Sequence, residues 1–182
     1  MPELRVPDPP LADDVVALRA FTLDDVEWVT EGCRDPDVAR FTSVPHPYEP
    51  DDARAWIGGH AEARARGEGL HLAVTTAADG APLGSAGLQR IDWEHLRGEI
   101  GYWIAPWGRG RGAAPRATRL IAAYGFEAGV ERIEVIPYLD NPASQRVAEK
   151  AGCRREGVLR SYFAARGERH DCVIYSLLRG EL

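Results

Sequence analysis

The chain has 182 residues, of which 45% are hydrophobic and 27% are charged. This length allows one domain with its own buried core, and the composition is that of a folded globular protein rather than a disordered, collagen-like or disulfide-scaffold chain. The 28 acidic residues outnumber the 22 basic ones, and the net charge of −6 argues against a nucleic-acid-binding surface. No apolar run approaches the ~18 residues of a membrane span, so we expect neither a membrane nor a nucleic acid as partner.

The cysteines and histidines show none of the spacings that metal or redox sites require. The three cysteines are odd in number and lack CxxC spacing, which is typical of reduced thiols in a cytoplasmic protein. The five histidines lack the HExxH pattern and the Cys/His pair spacing of zinc sites. We therefore expect no bound metal.

The first 14 residues are rich in Pro and Asp and have no hydrophobic period. We predict a flexible tail over residues 1–14, with neither the basic start nor the apolar stretch of a secretory signal. A β-like run over residues 15–20 follows, and Thr22 with an acidic residue three positions later predicts a helix start. Three prolines within residues 42–50 predict a loop, after which a second helix opens at Asp51.

The rest of the chain alternates strand and helix periods. Three strands joined by short turns predict an antiparallel meander, because a parallel return would need a dozen or more residues. The predicted elements are strands at about 70–76, 83–91 and 98–105, a helix over 113–128, a strand over 132–137, a helix over 141–152, and strands over 158–164 and 172–178. Residues 15–182 therefore predict a single α/β domain, with a mixed, mostly antiparallel central sheet flanked by about four helices.

The most informative segment, residues 107–114 (WGRGRGAA), connects a predicted strand to a predicted helix. Glycines at such a junction let a ligand approach the backbone closely. The unpaired amides at the helix start form an anion site, to which Arg109 and Arg111 add positive charge. The segment therefore predicts a ligand that contains phosphate.

The residues of this glycine loop leave several interpretations open. A nucleoside-triphosphate loop needs a Lys followed by Ser or Thr, which the segment lacks. A dinucleotide fingerprint, GxGxxA, fits Gly108, Gly110 and Ala113, with Glu134 near the offset of a ribose-binding acid. Against it, the loop follows an antiparallel meander, and too few residues remain for a doubly wound sheet. A glycine-rich turn that binds nothing is a further alternative.

The loop resembles the acyl-CoA loop of the GNAT N-acetyltransferase superfamily, usually written (Gln/Arg)-x-x-Gly-x-(Gly/Ala). Gly110 and Gly112 match, while Trp107 replaces the leading residue, as is typical of the branch resembling the Rim-type ribosomal-protein N-terminal acetyltransferases. Residues 140–144 (DNPAS) and 147–153 (VAEKAGC) resemble the second motif of that branch, Asn-x-x-Ser-x-x-(hydrophobic)-x-x-Lys-x-Gly-Phe, with a Cys in place of the Phe. The likeness covers nearly the whole chain after the predicted tail.

This resemblance implies a GNAT-like fold and an enzyme that uses acetyl-CoA. The acetyl group would pass directly to a primary amine, either the α-amine of a protein N-terminus or a small-molecule amine. The residues expected to bind acetyl-CoA are Trp103, Ile104, Ala105, Trp107, Gly108, Arg109, Gly110, Arg111, Gly112, Ala113, Ala114, Asn141 and Ser144. Similar proteins often form homodimers, and the alternative function is a non-catalytic acyl-CoA-binding module.

Glu99 is the candidate general base. Alternation along the predicted strand places its side chain on the same face as Gly101 and Trp103. A carboxylate in mid-strand among aromatic residues favours a role in proton transfer. The structural alternative is an ion pair of Glu99 with Arg90 or Arg97.

Ser144 and Tyr102 are the candidate acids. By analogy with the Rim-type branch, Ser144 is expected to protonate the departing thiolate, although a Ser in the first turn of a helix also satisfies backbone amides. Tyr102 is the second candidate, while Asn141 both caps the helix and faces the cofactor. The acceptor is expected to contact Phe41, Tyr48, Glu99 and Tyr162.

Overall fold

An eight-stranded mixed sheet runs through the computed structural model, which describes residues 2–182. The strands are β1 (Leu11–Ala12), β2 (Val16–Arg19), β3 (Gly69–Thr76), β4 (Pro82–Asp92), β5 (Arg97–Ile104), β6 (Arg132–Val135), β7 (Arg154–Ala165) and β8 (Glu168–Leu178). They lie side by side in the order β1-β2-β3-β4-β5-β6-β8-β7. All neighbours are antiparallel except β5 and β6, which are parallel. The prediction of a mixed, mostly antiparallel sheet is confirmed.

Five α-helices within the described residues cover the two faces of this sheet. They are α1 (Val26–Cys33), α2 (Pro36–Phe41), α3 (Pro50–Ala65), α4 (Ala113–Glu127) and α5 (Pro142–Lys150). On one face, Ile121 of α4 joins Leu88 and Ile100 in the main apolar core. On the other face, Val29 of α1 and Trp103 of β5 belong to a second cluster. None of the helices in residues 2–182 is both long and apolar enough to cross a membrane.

The predicted elements are found in the predicted order, with two additions among the strands and α-helices, β1 and α2. The capping box at Thr22 is present, but it opens a short 3-10 turn ahead of α1. Helix α2 was not predicted because its six residues are too few to show an apolar period; it begins where Asp35 accepts hydrogen bonds from two backbone amides. Strands β7 and β8 are longer than their apolar runs, because their hairpin extends into exposed residues.

Over residues 2–14 the N-terminal segment differs from the loose tail predicted for residues 1–14, of which residue 1 lies outside the described residues. Leu4 is 1% exposed and belongs to the main core, and its amide donates to the carbonyl of Arg64 at 3.1 Å. Strand β1 pairs with β2 and adds an edge to the sheet. The segment lacks a hydrophobic period because Leu4, Val6 and Leu11 pack one by one on the core rather than as the face of an element.

Strands β5 and β6 separate part-way along their length. They are paired only from Arg97 to Glu99 of β5, whereas β5 continues to Ile104. The amide of Ala105 donates to Leu83 of β4, and backbone groups of alternate residues point to opposite edges of a strand. The odd-numbered residues of β5 therefore face β4, and the backbone of Tyr102 and the N–H of Ile104 lie on the edge that β6 has left. This opening positions the site.

Candidate active site

A cleft of about 1150 Å³ lies at the opening between β5 and β6. The side chains of β5 alternate between the two faces of the sheet, so the opening connects the face covered by α4 and α5 with the face covered by α1–α3. Gly110, Gly112 and Ser144 line the cleft from the first side, and Phe41 and Glu99 from the second. The site can therefore hold two ligands that meet through the sheet.

The glycine loop forms a cradle for an anion at the start of α4. Gly110 and Gly112 have φ angles of 76° and 74°, a conformation that favours glycine. Helix α4 begins without a side-chain cap, and the amides of Gly110, Arg111 and Gly112 find no hydrogen-bond acceptor among residues 2–182. Together with the positive end of the helix, these free donors fit a phosphate or diphosphate.

The two arginines of the loop differ from the expectation that both add positive charge to this cradle: Arg109 lines the cleft but is already paired, and Arg111 lies outside the lining. Arg109 pairs with Asp35 and, at 3.3 Å, with Asp37 of α2, and its Nε donates to the carbonyl of Ile104. The expectation that Arg109 adds free positive charge is therefore corrected, because the acidic start of α2 neutralises it. Arg111 is exposed and lies outside the lining of the cleft.

The other residues predicted around the loop divide into those that face the cleft and those that support it. Ile104, Gly108, Ala113 and Ala114 lie in its lining. Trp103 and Ala105 were expected to bind acetyl-CoA, but the backbone of Trp103 faces β4 and the amide of Ala105 donates to Leu83, so these backbone groups are already engaged. The unpaired backbone groups are those of Tyr102 and Ile104, and Trp103 also lines the cleft. Trp107 lies outside the lining and donates from its indole to Pro82 at 2.9 Å, which anchors the loop to β4.

Asn141, Ser144 and Tyr102 form one hydrogen-bonded group at the start of α5. The side chain of Asn141 accepts from the amide of Ser144 at 3.0 Å, as a helix cap does. The phenol oxygen of Tyr102 lies 2.7 Å from Oγ of Ser144 and 3.1 Å from its carbonyl oxygen. Burial raises the pKa of Tyr102, so the phenol keeps its proton at neutral pH. The pair can supply a proton to a ligand in the cleft.

Glu99 forms an ion pair with Arg90, which the sequence analysis gave as the structural alternative to a role in proton transfer. Its carboxylate accepts from Arg90 at 2.8 Å and from the amide of Gln89 at 3.1 Å, and the side chain is 10% exposed. The absence of a side chain at Gly101 makes room for Gln89, whose Nε2 would lie 2.8 Å from a Cβ there. Glu99 nevertheless lines the cleft, so its carboxylate, which is paired with Arg90, lies on the acceptor side.

The predicted acceptor residues are only partly brought together. Phe41 lines the cleft and meets Tyr138 edge to face, and the buried Tyr48 lines it from the loop ahead of α3. Tyr162 is 45% exposed and lies outside the lining, where the adjacent Phe163 takes its place. Neighbouring residues of a strand point to opposite faces of the sheet. Without the register of β7, the sequence could not show which of the two residues, Tyr162 or Phe163, faces the cleft.

His71 also lines the cleft, and the sequence analysis missed it. The signal was the alternation of Leu70, Leu72 and Val74, which are all buried in the main core. That alternation sends the intervening His71 to the opposite face.

Comparison with known proteins agrees with this architecture. The model of the acetyltransferase (GNAT) domain family matches residues 16–154. The chain belongs to the GNAT acetyltransferase family. The predicted family and enzyme class are therefore confirmed. The GNAT fold has a mixed sheet rather than the doubly wound sheet of the dinucleotide interpretation. In that interpretation Glu134 would bind ribose, whereas here Glu134 pairs with Arg132 at 2.7 Å.

Several relatives resemble this GNAT protein over most of its length. The uncharacterized N-acetyltransferase YoaA of Bacillus subtilis is 29% identical over 94% of this chain and 97% of its own. The putative ribosomal N-acetyltransferase YdaF of the same organism is 36% identical over 57% of each chain. The crystal structure of a GNAT-family acetyltransferase from Bacillus anthracis superposes with a TM-score of 0.82 at 26% identity, covering 93% of this chain and 98% of the other.

Proposed function

We propose that this GNAT protein transfers an acetyl group from acetyl-CoA directly to a primary amine. The observation that carries the proposal is the opening between β5 and β6, with free amides on one side and an acidic, aromatic-lined space on the other. A donor and an acceptor that enter from opposite faces would meet there, so direct transfer needs no covalent enzyme intermediate.

The residues at the opening fit acetyl-CoA, which supplies an activated acetyl thioester. The free amides of Gly110 and Gly112 would bind its diphosphate. The unpaired backbone edge at Tyr102 and Ile104 would align the pantetheine arm as an added strand would be aligned. The N–H of Ile104 is then placed to donate to the thioester oxygen as negative charge develops on it.

The side chains divide the remaining tasks between the two sides of the opening. The Tyr102–Ser144 pair would give a proton to the departing sulfur, because both oxygens carry hydrogens in the neutral pair. The carboxylate of Glu99 would attract a cationic amine into the acceptor side. Its role as general base stays a prediction, and against it both of its oxygens already accept hydrogen bonds, from Gln89 and Arg90.

We place the α-amine of a protein N-terminus first among acceptors, and a small-molecule amine second. The Rim-type character of residues 107–114 and 140–153 supports this order, as does the relative named a putative ribosomal N-acetyltransferase. The proposal includes a cytoplasmic location, supported by three buried free thiols. It also includes a homodimer, which sedimentation of the purified chain tests.

Release of free thiol from acetyl-CoA, measured across N-terminal peptides and small amines, tests the proposed activity. Binding is measured separately: acetyl-CoA at a hundredfold excess over its dissociation constant should stabilise the fold by ~2.7 kcal/mol. Transfer to at least one amine supports the enzyme. Stabilisation without transfer to any amine favours the non-catalytic acyl-CoA-binding module, and stabilisation by NAD instead of acetyl-CoA favours the dinucleotide interpretation.

A further inference from the structure

His71 presents an unpaired imidazole to the acceptor side of the cleft. Among residues 2–182 neither ring nitrogen makes a hydrogen bond. The ring nitrogens are not sealed off from solvent, in contrast to those of His60. The ring stacks on His60 with centroids 5.4 Å apart and meets Trp56 at 5.8 Å, so its orientation is set by packing. A polar group that is held in place and opens into a cleft is available to a ligand.

Two glycines extend from His71 toward the opening between β5 and β6. Across the sheet His71 is paired with Gly87, and Gly87 with Gly101. A Cβ on Gly87 would lie 2.5 Å from Nδ1 of His71, so the imidazole leans over the space that this glycine leaves. Neighbouring strands are about 4.8 Å apart. The imidazole therefore reaches toward β5 over a floor formed by Gly87 and Gly101, of which the part over Gly101 is covered by the side chain of Gln89.

Two rows of polar or aromatic side chains flank this glycine floor on the same face of the sheet. Gln89 and Glu99 pair across β4 and β5 on one side, and Ser85 and Trp103 on the other. An amine that enters between these rows would pass His71 before it reached the open edge of β5. Both oxygens of Glu99 already accept hydrogen bonds, one of them from a guanidinium. Within residues 2–182, the ring nitrogens of His71 accept no hydrogen bond in this space and remain open to an amine.

We propose that His71 is the base that takes the proton from the acceptor amine, a role that rests on the proposed function. The acceptor arrives as a cation and first gives one proton to solvent. As the nitrogen of the resulting neutral amine bonds to the acetyl carbon, the carbon–sulfur bond of the thioester breaks. The proton leaves the nitrogen for His71, which becomes an imidazolium, and the sulfur takes a proton from the Tyr102–Ser144 pair. Solvent then removes the proton from His71 and returns one to the pair, so atoms and charges balance.

The surroundings of His71 keep it neutral before the reaction, so its ring is free to accept a proton, while the lowered pKa makes it a weaker base than an exposed histidine. Burial lowers the pKa of His71 below the usual value for histidine. Burial likewise lowers the pKa of His60 to about 4, so this neighbour carries no charge at neutral pH. The charged groups on the elements packed around His71 are the Glu99–Arg90 pair of β5 and β4, the Asp25–Arg19 pair ahead of α1, and Asp52 and Arg64 of α3. These three acidic and three basic groups balance, so the imidazolium formed during transfer would face no net charge of its own sign.

Two variants of His71 and one control test this role. His71→Ala and His71→Gln should lower kcat about 100-fold or more at pH 7.5, in the range expected for loss of a general base. Added imidazole should raise the activity of His71→Ala at least tenfold, in proportion to the concentration of unprotonated imidazole. The control is His95→Gln, a substitution at an exposed histidine outside the lining of the cleft, which should change kcat less than threefold.

A measurement without turnover completes the test. In the protein without acetyl-CoA, the ring resonances of His71 should titrate below pH 6.5, and addition of an accepted amine should shift them but leave those of His60 unchanged. A kcat within threefold of wild type in His71→Ala overturns the proposal. A large loss without rescue by imidazole, in a variant that binds acetyl-CoA normally, also overturns it. Failure of the wild type to acetylate any amine would instead refute the proposed function.

Discussion

Removal of one phenol oxygen, by Tyr102→Phe, separates proton supply to the sulfur from binding of the donor. The substitution keeps the ring in the core and deletes hydrogen bonds of 2.7 and 3.1 Å to Ser144. Loss of one buried hydrogen bond costs about 1 kcal/mol of folding free energy, so the variant should fold. Its affinity for acetyl-CoA should stay within threefold of wild type, because the backbone edge and the glycine loop are untouched.

The effect of Tyr102→Phe on turnover should be larger than its effect on stability. General acid catalysis contributes about 10²–10⁴ in rate. Ser144 remains as a donor in this variant, so the lower end applies and we expect kcat to fall about 10- to 100-fold. Ser144→Ala should cause a similar loss, and the double variant should lose less than the product of the two, because the residues act as one pair.

Tyr124→Phe is the matched control for this substitution. Tyr124 donates one hydrogen bond, of 2.9 Å, to the carbonyl of Arg5 and lies outside the lining of the cleft. It should lose a comparable amount of stability and keep its kcat. Steady-state thiol release gives kcat, and calorimetric titration gives the affinity for acetyl-CoA. An unchanged kcat in Tyr102→Phe, or an equal loss in both variants, would refute the role of the phenol.

Three further substitutions test the loop, the acceptor side and the fold. Gly110→Ala should weaken acetyl-CoA binding at least tenfold in calorimetry. The control is Gly167→Ala, at a hairpin glycine with a similar φ of 81°, which should lower the free energy of unfolding by a similar amount without changing the affinity for acetyl-CoA. Glu99→Gln should raise KM for a cationic acceptor severalfold and leave the affinity for acetyl-CoA unchanged; an unaltered KM would remove Glu99 from acceptor binding. For Asp25, burial favours a higher pKa, but hydrogen bonds from Arg19, a backbone amide and an indole outweigh it and hold the pKa below its usual range. Asp25→Asn should therefore cost about 2 kcal/mol in urea unfolding at pH 7, and its deficit should shrink as pH falls below about 4 and through the lowered pKa; a deficit that is constant down to pH 2 would contradict this cause.

The order of elements was predictable because short turns and clear periods leave few topologies for the chain. The turn between β3 and β4 required an antiparallel pair, and the apolar spacing of α4 required a helix after the glycine loop. Helix α2 and the packing of Leu4 were not predictable, since six residues show no period and a single buried leucine gives no pattern.

The candidate site was predictable where one segment supplies it and unpredictable where separate strands do. The glycine loop and the Asn141–Ser144 turn each lie within a few residues, so sequence alone indicated their chemistry. Which backbone groups of β5 are free depends on where β6 leaves it, and the position of His71 over Gly87 depends on register. Both are properties of strand pairing, which local sequence does not specify.

The crystal structure of the protein with coenzyme A and an accepted amine tests the central claim most directly. The account predicts the diphosphate on the amides of residues 110–113, the pantetheine arm along the open edge of β5 at Tyr102 and Ile104, and the amine on the opposite face, within reach of His71. Coenzyme A bound elsewhere, or a donor and an acceptor that enter from the same face of the sheet, would contradict it.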